Sequence, residues 1–371
     1  MRGSKAMTMT ESGGAGVSVK ALRSVHTGPE GVKAQYDARA VLRPDEVRIR
    51  VAAAGVNFRD VALQAGNYLP NMLRPYIPLS EGAGVVIETG AEVDDLKDGD
   101  AVLGHYVVDW RSGPFRPAFH DSKVGGPRDG WLAEEVVMPR RALLHVPVGW
   151  RLEEAAALAI SGVTAWRALR GLVGLEGQHV LLPGTGNVSL QALELAASAG
   201  ARALVVTSRP ELSPQLMAMG AAAVIHRHQD SDDLVESILS ASDGQGVDVA
   251  LDTVGGQFLV DIILPSMATN GRVALLGFLE GSNVRGDVIG PAIRKLLQFE
   301  GISVGSLLDF ERLLDHMQRH HLRPRIGRRT PPSRWSEVFR EPEGRDNAGP
   351  QEALGKHVVI VDEGLASWTV C

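Results

Sequence analysis

Between positions 179 and 305 the sequence alternates short, continuously apolar runs with amphipathic segments, and no other feature restricts the fold as tightly. HVLLP (179–183), ARALVVTS (201–208), AAVIH (222–226), VDVALDTVG (247–255), RVALLGF (272–278) and EGISVG (300–305) read as strands. Helices are expected between them over 189–200, 211–219, 232–241 and 257–268, with Asp230 and Ser231 suited to cap the third. Continuously apolar strands are buried on both faces, and helical crossovers of one hand join parallel neighbours. The region is therefore expected to be a doubly wound parallel α/β sheet.

The first of these strands runs directly into Gly184-Thr185-Gly186-Asn187-Val188-Ser189 and then a helix. Small residues there let backbone N–H groups approach a pyrophosphate, and the helix N-terminus favours its charge. The pattern counts because it stands in strand–turn–helix context. At the end of the second strand an acidic residue would bind a ribose 2′-hydroxyl, but the sequence reads Thr207-Ser208-Arg209-Pro210. A hydroxyl and a guanidinium suit a 2′-phosphate, so the expected cofactor is NADPH. Val254, Gly277, Phe278 and Leu279 end the fourth and fifth strands at the edge where such sheets bind ligands.

Before this region the text is strand-like with turn punctuation. EVRIRVAAA (46–54) alternates as a half-buried strand should; GAGVVIETG (82–90), GDAVLGHYVV (99–108) and WLAEEVVMP (131–139) follow as strands. The Ala- and Leu-rich stretch 152–173 is expected to be helical. After Gly305 come an amphipathic helix, 309–322, and a strand-like KHVVIVDEG, where the chain is expected to return to the first domain. The expected division is a flexible tail (1–16), a β-rich unit (17–153), a nucleotide-binding unit (154–305) and the return (306–371). His316 and His320 have metal-compatible helical spacing, but a solvated helix face is the expected reading.

Composition narrows the function. With 38 basic against 44 acidic residues the net charge is −6, which gives no footprint for nucleic acid. No run of 18 apolar residues is present, so no membrane span is expected, and the N-terminus lacks a signal-peptide core. The single cysteine, Cys371, excludes an intrachain disulfide and a cysteine-rich zinc site, and points to the cytoplasm.

Taken together, GVNFRD (55–60), PLSEGAGVV (78–86), LKDGDAVLG (96–104), GGPRDGWLAEEVVMP (125–139) and ISGVTAWRAL (160–169) resemble the medium-chain dehydrogenase/reductase superfamily. The likeness continues through LPGTGNVSLQALELAASAGA (182–201), GVDVALDTVGG (246–256), GRVALLGFLEG (271–281) and GISVGSLLDFE (301–311). It is closest to the zinc-independent branch that includes quinone oxidoreductases and polyketide enoylreductases. The resemblance implies a GroES-like catalytic domain joined to a Rossmann domain, an active site between them, and a homodimer paired through the last Rossmann strand. Zinc-dependent relatives place Cys where Asn57 stands, His-Glu where Ser80-Glu81 stands and Cys near Ser161, so no zinc is expected.

The resemblance also implies site residues. Tyr68 matches a tyrosine of polyketide enoylreductases, and a phenol can donate to an enolate. Asn57 and Thr164 resemble residues near the nicotinamide, and Asn57 also suits a helix cap. Lys356 matches a lysine able to reach cofactor phosphate, and His226 holds a position where some relatives place a tyrosine against the 2′-phosphate. Arg59 and Asp60 are expected to pair locally. Trp110 and Trp131, with Phe115 and Phe119, either wall a pocket for a bulky apolar substrate or anchor the 110–130 loop. The expected function is zinc-independent, NADPH-dependent reduction of an enone, enoyl compound or quinone. The alternatives are a zinc-free NADP-dependent alcohol dehydrogenase or carbonyl reductase, and a non-catalytic NADPH-binding protein.

Overall fold

The computed structural model describes residues 18–69, 71–227, 230–339 and 354–370; the 1–16 tail, the polar stretch 340–351 and Cys371 lie outside them. Six parallel strands, His179–Pro183, Arg202–Thr207, Ala221–His226, Val247–Asp252, Met267–Leu275 and Gln298–Gly301, form one sheet. Numbered in that order, they lie side by side as 3-2-1-4-5-6. The order reverses between the first and fourth strands, which leaves a crevice at their carboxyl ends.

The first of the two large sheets in chain order has seven strands, and the six-stranded parallel sheet is the second. Ile326–Thr330, Lys356–Ile360, Glu46–Gly55, Glu81–Thr89, Ala101–Gly104 and Leu143–His145 follow one another, and Glu135–Pro139 pairs Glu46–Gly55 as well. Ile326–Thr330 and Lys356–Ile360 come from the far end of the chain. Val358 lies opposite Gly55 and Ile360 opposite Ala53, so the C-terminal segment returns to the first sheet. The strand Glu46–Gly55 is buried along both faces rather than alternately, because Arg48 is sealed inside by Glu88 at 2.7 Å and only Arg50 faces solvent.

One apolar core is continuous across both sheets. Ala53 and Leu103 of the first, the segment Leu152 to Ala159, Trp166, Leu182 of the second and Phe310 belong to it. Burying that stripe fixes the two sheets against each other. A separate core inside the first sheet holds Trp131 over Gly82 and Gly104, where any side chain would collide with the indole.

Several elements differ from the sequence expectation. The 257–268 helix is present but widens to a π-turn over Leu259–Ile263 and ends at Ser266, because Met267 already opens the fifth strand. The sixth strand is Gln298–Gly301 rather than 300–305, and the stretch 152–173 breaks into Leu152–Ala155 and Ser161–Ala168. Strands expected over 99–108 and 131–139 shorten to Ala101–Gly104 and Glu135–Pro139. The last long helix is Leu307–Arg319, started by Ser306, whose hydroxyl accepts from the Asp309 N–H at 3.2 Å. Its His316 is not on a solvated face: it is buried, 5.5 Å from the Trp166 ring and 2.9 Å from Ser198 Oγ. Asp230 caps the Ser231–Ala241 helix as expected, accepting from Asp233 at 2.9 Å.

His105 ends a core strand of the first sheet with neither ring nitrogen hydrogen-bonded, its ring 6.2 Å from Phe310. Burial holds it at about 3, only partly offset by Asp309. With the folded-state value depressed, the neutral ring's contribution is complete above its ordinary value near 6.5 and is lost progressively as pH falls from there to about 3. Urea midpoints of His105→Leu and the native chain should therefore converge on acidification, with about 2 kcal/mol of relative gain for the variant between pH 7 and pH 5. A pH-independent difference would contradict this.

Candidate active site

The phosphate loop is shaped by hydroxyls that hold its base and glycines that open its mouth. Ser189 Oγ and Thr253 Oγ1 both donate to the Pro183 carbonyl at 3.0 Å, and the Gly184 N–H donates to Val206 at 2.7 Å. Gly184 has φ +80°, and a Cβ at Gly184 or Gly186 would meet no atom within 4 Å. That open face stands before the N-terminus of the helix Asn187–Ser198, where phosphate is stabilised by free N–H groups. Thr185, Asn187 and Val188 complete the mouth and are partly exposed.

Arg209 crosses to this loop from the end of the second strand. Its guanidinium donates to Thr185 Oγ1, and its N–H donates to Thr207 Oγ1 at 3.0 Å. Ser208 is exposed beside it, and His226, opposite Thr207 in the next strand, lies 3.4 Å from Ser213 Oγ. At the far side of the crevice, Asp252 accepts from the Val254 and Gly255 N–H groups at 3.1 and 2.8 Å. Its carbonyl accepts from Gly277 at 3.1 Å, and Phe278 and Leu279 project exposed beyond. The structure thus gathers the loop, Arg209, Ser208, His226, Val254 and Gly277 to Leu279 along one edge, a cradle that fits a dinucleotide.

The other wall is organised by Glu81, which is completely buried. Its Oε1 accepts from Asn57 Nδ2 at 3.0 Å and from Lys356 Nζ at 2.7 Å, and its Oε2 accepts from the Ile160 N–H at 2.7 Å. Lys356 also donates to Asn57 Oδ1 at 2.6 Å. Lys356, expected to reach cofactor phosphate, is held inside at 2% exposure by its ion pair with Glu81. Asn57 precedes the helix Phe58–Ala65 and donates its N–H to Asp60 Oδ2 at 3.0 Å. Ile160 leads into Ser161–Ala168, on which Thr164 is also buried.

These donors do not suit zinc. An amide, a hydroxyl and one carboxylate replace the thiolates and imidazole that zinc favours, and Ser161 turns its hydroxyl to the Ala157 carbonyl at 3.3 Å. An ammonium already lies on Glu81 where a cation would need that carboxylate. Among the described residues no group of three or more His, Cys, Asp or Glu is placed to hold a metal.

Next to Asn57, Arg59 pairs with Asp60 at 3.3 Å, donates to Ser80 Oγ, and reaches the Val124, Gly125 and Gly126 carbonyls at 3.0–3.3 Å. Its guanidinium lies 5.0 Å from the Tyr106 ring centre, and Tyr68 neighbours Tyr106 from the end of the Phe58–Ala65 helix. Burial raises the Tyr106 phenol. Sequence reasoning missed Tyr106 and treated Arg59 only as a local partner of Asp60; no local pattern marks a ring placed across a sheet. Trp110 and Trp131 do not wall a pocket. Both are buried, Trp110 against Phe115 at 5.0 Å with its N–H on Gly113 at 2.9 Å, so these rings anchor the loop instead.

Comparison with known proteins agrees with this geometry. Residues 43–148 match the alcohol dehydrogenase GroES-like domain, and residues 188–319 match the zinc-binding dehydrogenase family. The chain belongs to the medium-chain dehydrogenase/reductase superfamily. It is 28% identical over 334 residues to a zinc-type alcohol dehydrogenase-like protein of Schizosaccharomyces pombe, covering 88% of this chain and 94% of that one. It is 37% identical over 243 residues to a phenolphthiocerol synthesis polyketide synthase of Mycobacterium bovis, covering 65% of this chain but only 10% of the synthase. A Pseudomonas syringae quinone oxidoreductase superposes with a TM-score of 0.73 at 25% identity, over 92% of this chain and 99% of that one. This medium-chain oxidoreductase departs from the zinc-binding family description at the donor set just described.

Removing one partner of a buried ion pair leaves the other charge uncompensated. Lys356→Met and Glu81→Gln should each cost about 3–5 kcal/mol in urea unfolding. The double variant should recover most of one of those losses; strictly additive losses would show that the pair is not coupled.

Proposed function

We propose that this oxidoreductase is an NADPH-dependent, metal-free reductase of activated C=C bonds, in an enone, an enoyl compound or a quinone. The observation that carries the reading is the Lys356 ammonium seated on Glu81 and Asn57. With a fixed organic cation there and no thiolate or imidazole beside it, an unactivated alcohol or carbonyl lacks a Lewis acid. A conjugated acceptor needs less help, because its own carbonyl takes up the charge. NADPH when bound would supply hydride from nicotinamide C4.

In this reading the phosphate loop, from Gly184 to Val188, holds the pyrophosphate and Arg209 with Ser208 receives the 2′-phosphate, His226 standing beside them. Val254 and Gly277 to Leu279 flank the nicotinamide half, and Asn57 and Thr164 meet its ribose and ring. Tyr68 faces the substrate and donates to the enolate or protonates its α-carbon. The work divides as metal-free reduction requires: one domain positions the hydride, the other stabilises the oxygen.

We further infer a homodimer in the cytoplasm. Ile289, Ile293, Leu296 and Phe299 are exposed on and before the edge strand Gln298–Gly301, an apolar edge that pairing with a second copy would cover. No helix among the described residues is long and apolar enough to cross a membrane.

The reading is tested by NADPH oxidation with matched cyclohexenone, benzoquinone and aliphatic aldehydes. Turnover with the enone or quinone and not the aldehyde is expected. Turnover restricted to aldehydes would replace it with carbonyl reduction, and NADPH binding without turnover of any of them would favour a non-catalytic role. Arg209→Ala should raise the NADPH Kd by roughly tenfold or more while leaving NADH little changed. Equal weakening of both cofactors would remove the 2′-phosphate assignment.

A further inference from the structure

Lys123 is a lysine where lysine is expensive. It is 7% exposed, and its ammonium lies 5.9 Å from the Tyr106 ring centre and 5.7 Å from that of Phe115. No carboxylate among the described residues pairs with it. Another cation, Arg59, lies over the same Tyr106 ring, 5.0 Å from its centre. Desolvation, and then Arg59, lower the basicity of the amine. Its ammonium faces aromatic rings and no carboxylate, so its charge is left uncompensated.

The position is also rigid. Lys123 bridges Val107, the Val124 N–H donates to the Tyr106 carbonyl at 3.0 Å, and the Arg128 N–H donates to the Lys123 carbonyl at 3.0 Å. Arg59 grips the next three carbonyls of the same loop, so the two cations keep a fixed separation. The acidic group nearest Arg59 is Asp60, which is already engaged by the Ser80 hydroxyl and the Asn57 N–H. Two cations against one occupied carboxylate leave an excess of positive charge beside Tyr106 and its neighbour Tyr68. An excess of positive charge stabilises an oxygen that becomes negative more than one that stays neutral.

We propose that Lys123 is the charged hydrogen-bond donor to the substrate's carbonyl oxygen, with Tyr106 shaping its approach and Tyr68 on the opposite flank. This rests on the reductase reading above and adds to it a specificity: the acceptor's oxygen, not its carbon skeleton, is what the β-rich domain recognises. Flat conjugated oxyanions are therefore its preferred ligands, and neutral alkenes without a carbonyl are excluded.

The test uses 4-nitrophenol, a conjugated oxyanion, titrated into the NADP⁺-loaded full-length protein and followed by the visible absorbance of its phenolate. The native chain should bind the phenolate in preference to the phenol and lower the apparent pKa of the bound probe. Lys123→Met should weaken phenolate binding about 100-fold, and Lys123→Arg should restore part of it, with NADPH fluorescence titrations unchanged in both. Phenolate binding equal in the native chain and Lys123→Met, or preference for the neutral phenol, would overturn the proposal. Because the probe is not turned over, this result is independent of the enone assay. Lys123-dependent phenolate binding by a protein that reduces no enone would keep the oxyanion site and discard the reductase reading.

Discussion

The carboxylate of Glu81 joins three parts of the chain that are far apart in sequence. It receives the amide of Asn57 from the start of the first domain, the ammonium of Lys356 from the returning C-terminal strand, and the N–H of Ile160 from the helix that leads into the nucleotide-binding half. A carboxylate with no solvent contact must have its charge answered where it stands. That requirement places the C-terminal strand against Glu46–Gly55, sets the entry of Ser161–Ala168, and orients Asn57 at the head of its helix. The continuous core supplies the cohesion between the sheets; Glu81 supplies the register.

The two walls of the crevice are built on different physics. The nucleotide wall is backbone: open glycines, a helix N-terminus and one guanidinium tied to Thr185. The facing wall is side-chain charge in low dielectric, with Lys356 balanced by Glu81, Arg59 partly balanced by Asp60, and Lys123 unbalanced. The first suits a cofactor with several phosphates, and the second is where a developing oxyanion is proposed to sit. Where zinc-dependent relatives concentrate positive charge in one ion, this chain distributes it over three side chains.

How much of this was legible in the sequence follows from the range of each interaction. The parallel sheet was readable because its strands are continuously apolar over a few residues, a local property. The strand–turn–helix that frames 184–189 was readable because it too is written in neighbouring residues. The 257–268 helix is present but ends two residues early, at Ser266, because the fifth strand begins at Met267, before the pattern turns visibly strand-like. The pairing of Lys356 with Glu81 was not readable because the lysine's motif carries no record of Glu81, and only the closure of the sheet brings the two together. Trp131 was ambiguous for a related reason: the glycines that receive its ring, Gly82 and Gly104, lie on separate strands. Lys123 left no local signal at all, since a buried lysine and a surface lysine are written with the same letter.

The central claim is that hydride arrives at carbon conjugated to a carbonyl rather than at the carbonyl itself. Transfer of deuterium from C4-deuterated NADPH to cyclohexenone, located in the product by NMR, tests it directly. The account predicts the label at the β-carbon of a saturated ketone. Label at the carbinol carbon of an allylic alcohol would contradict it.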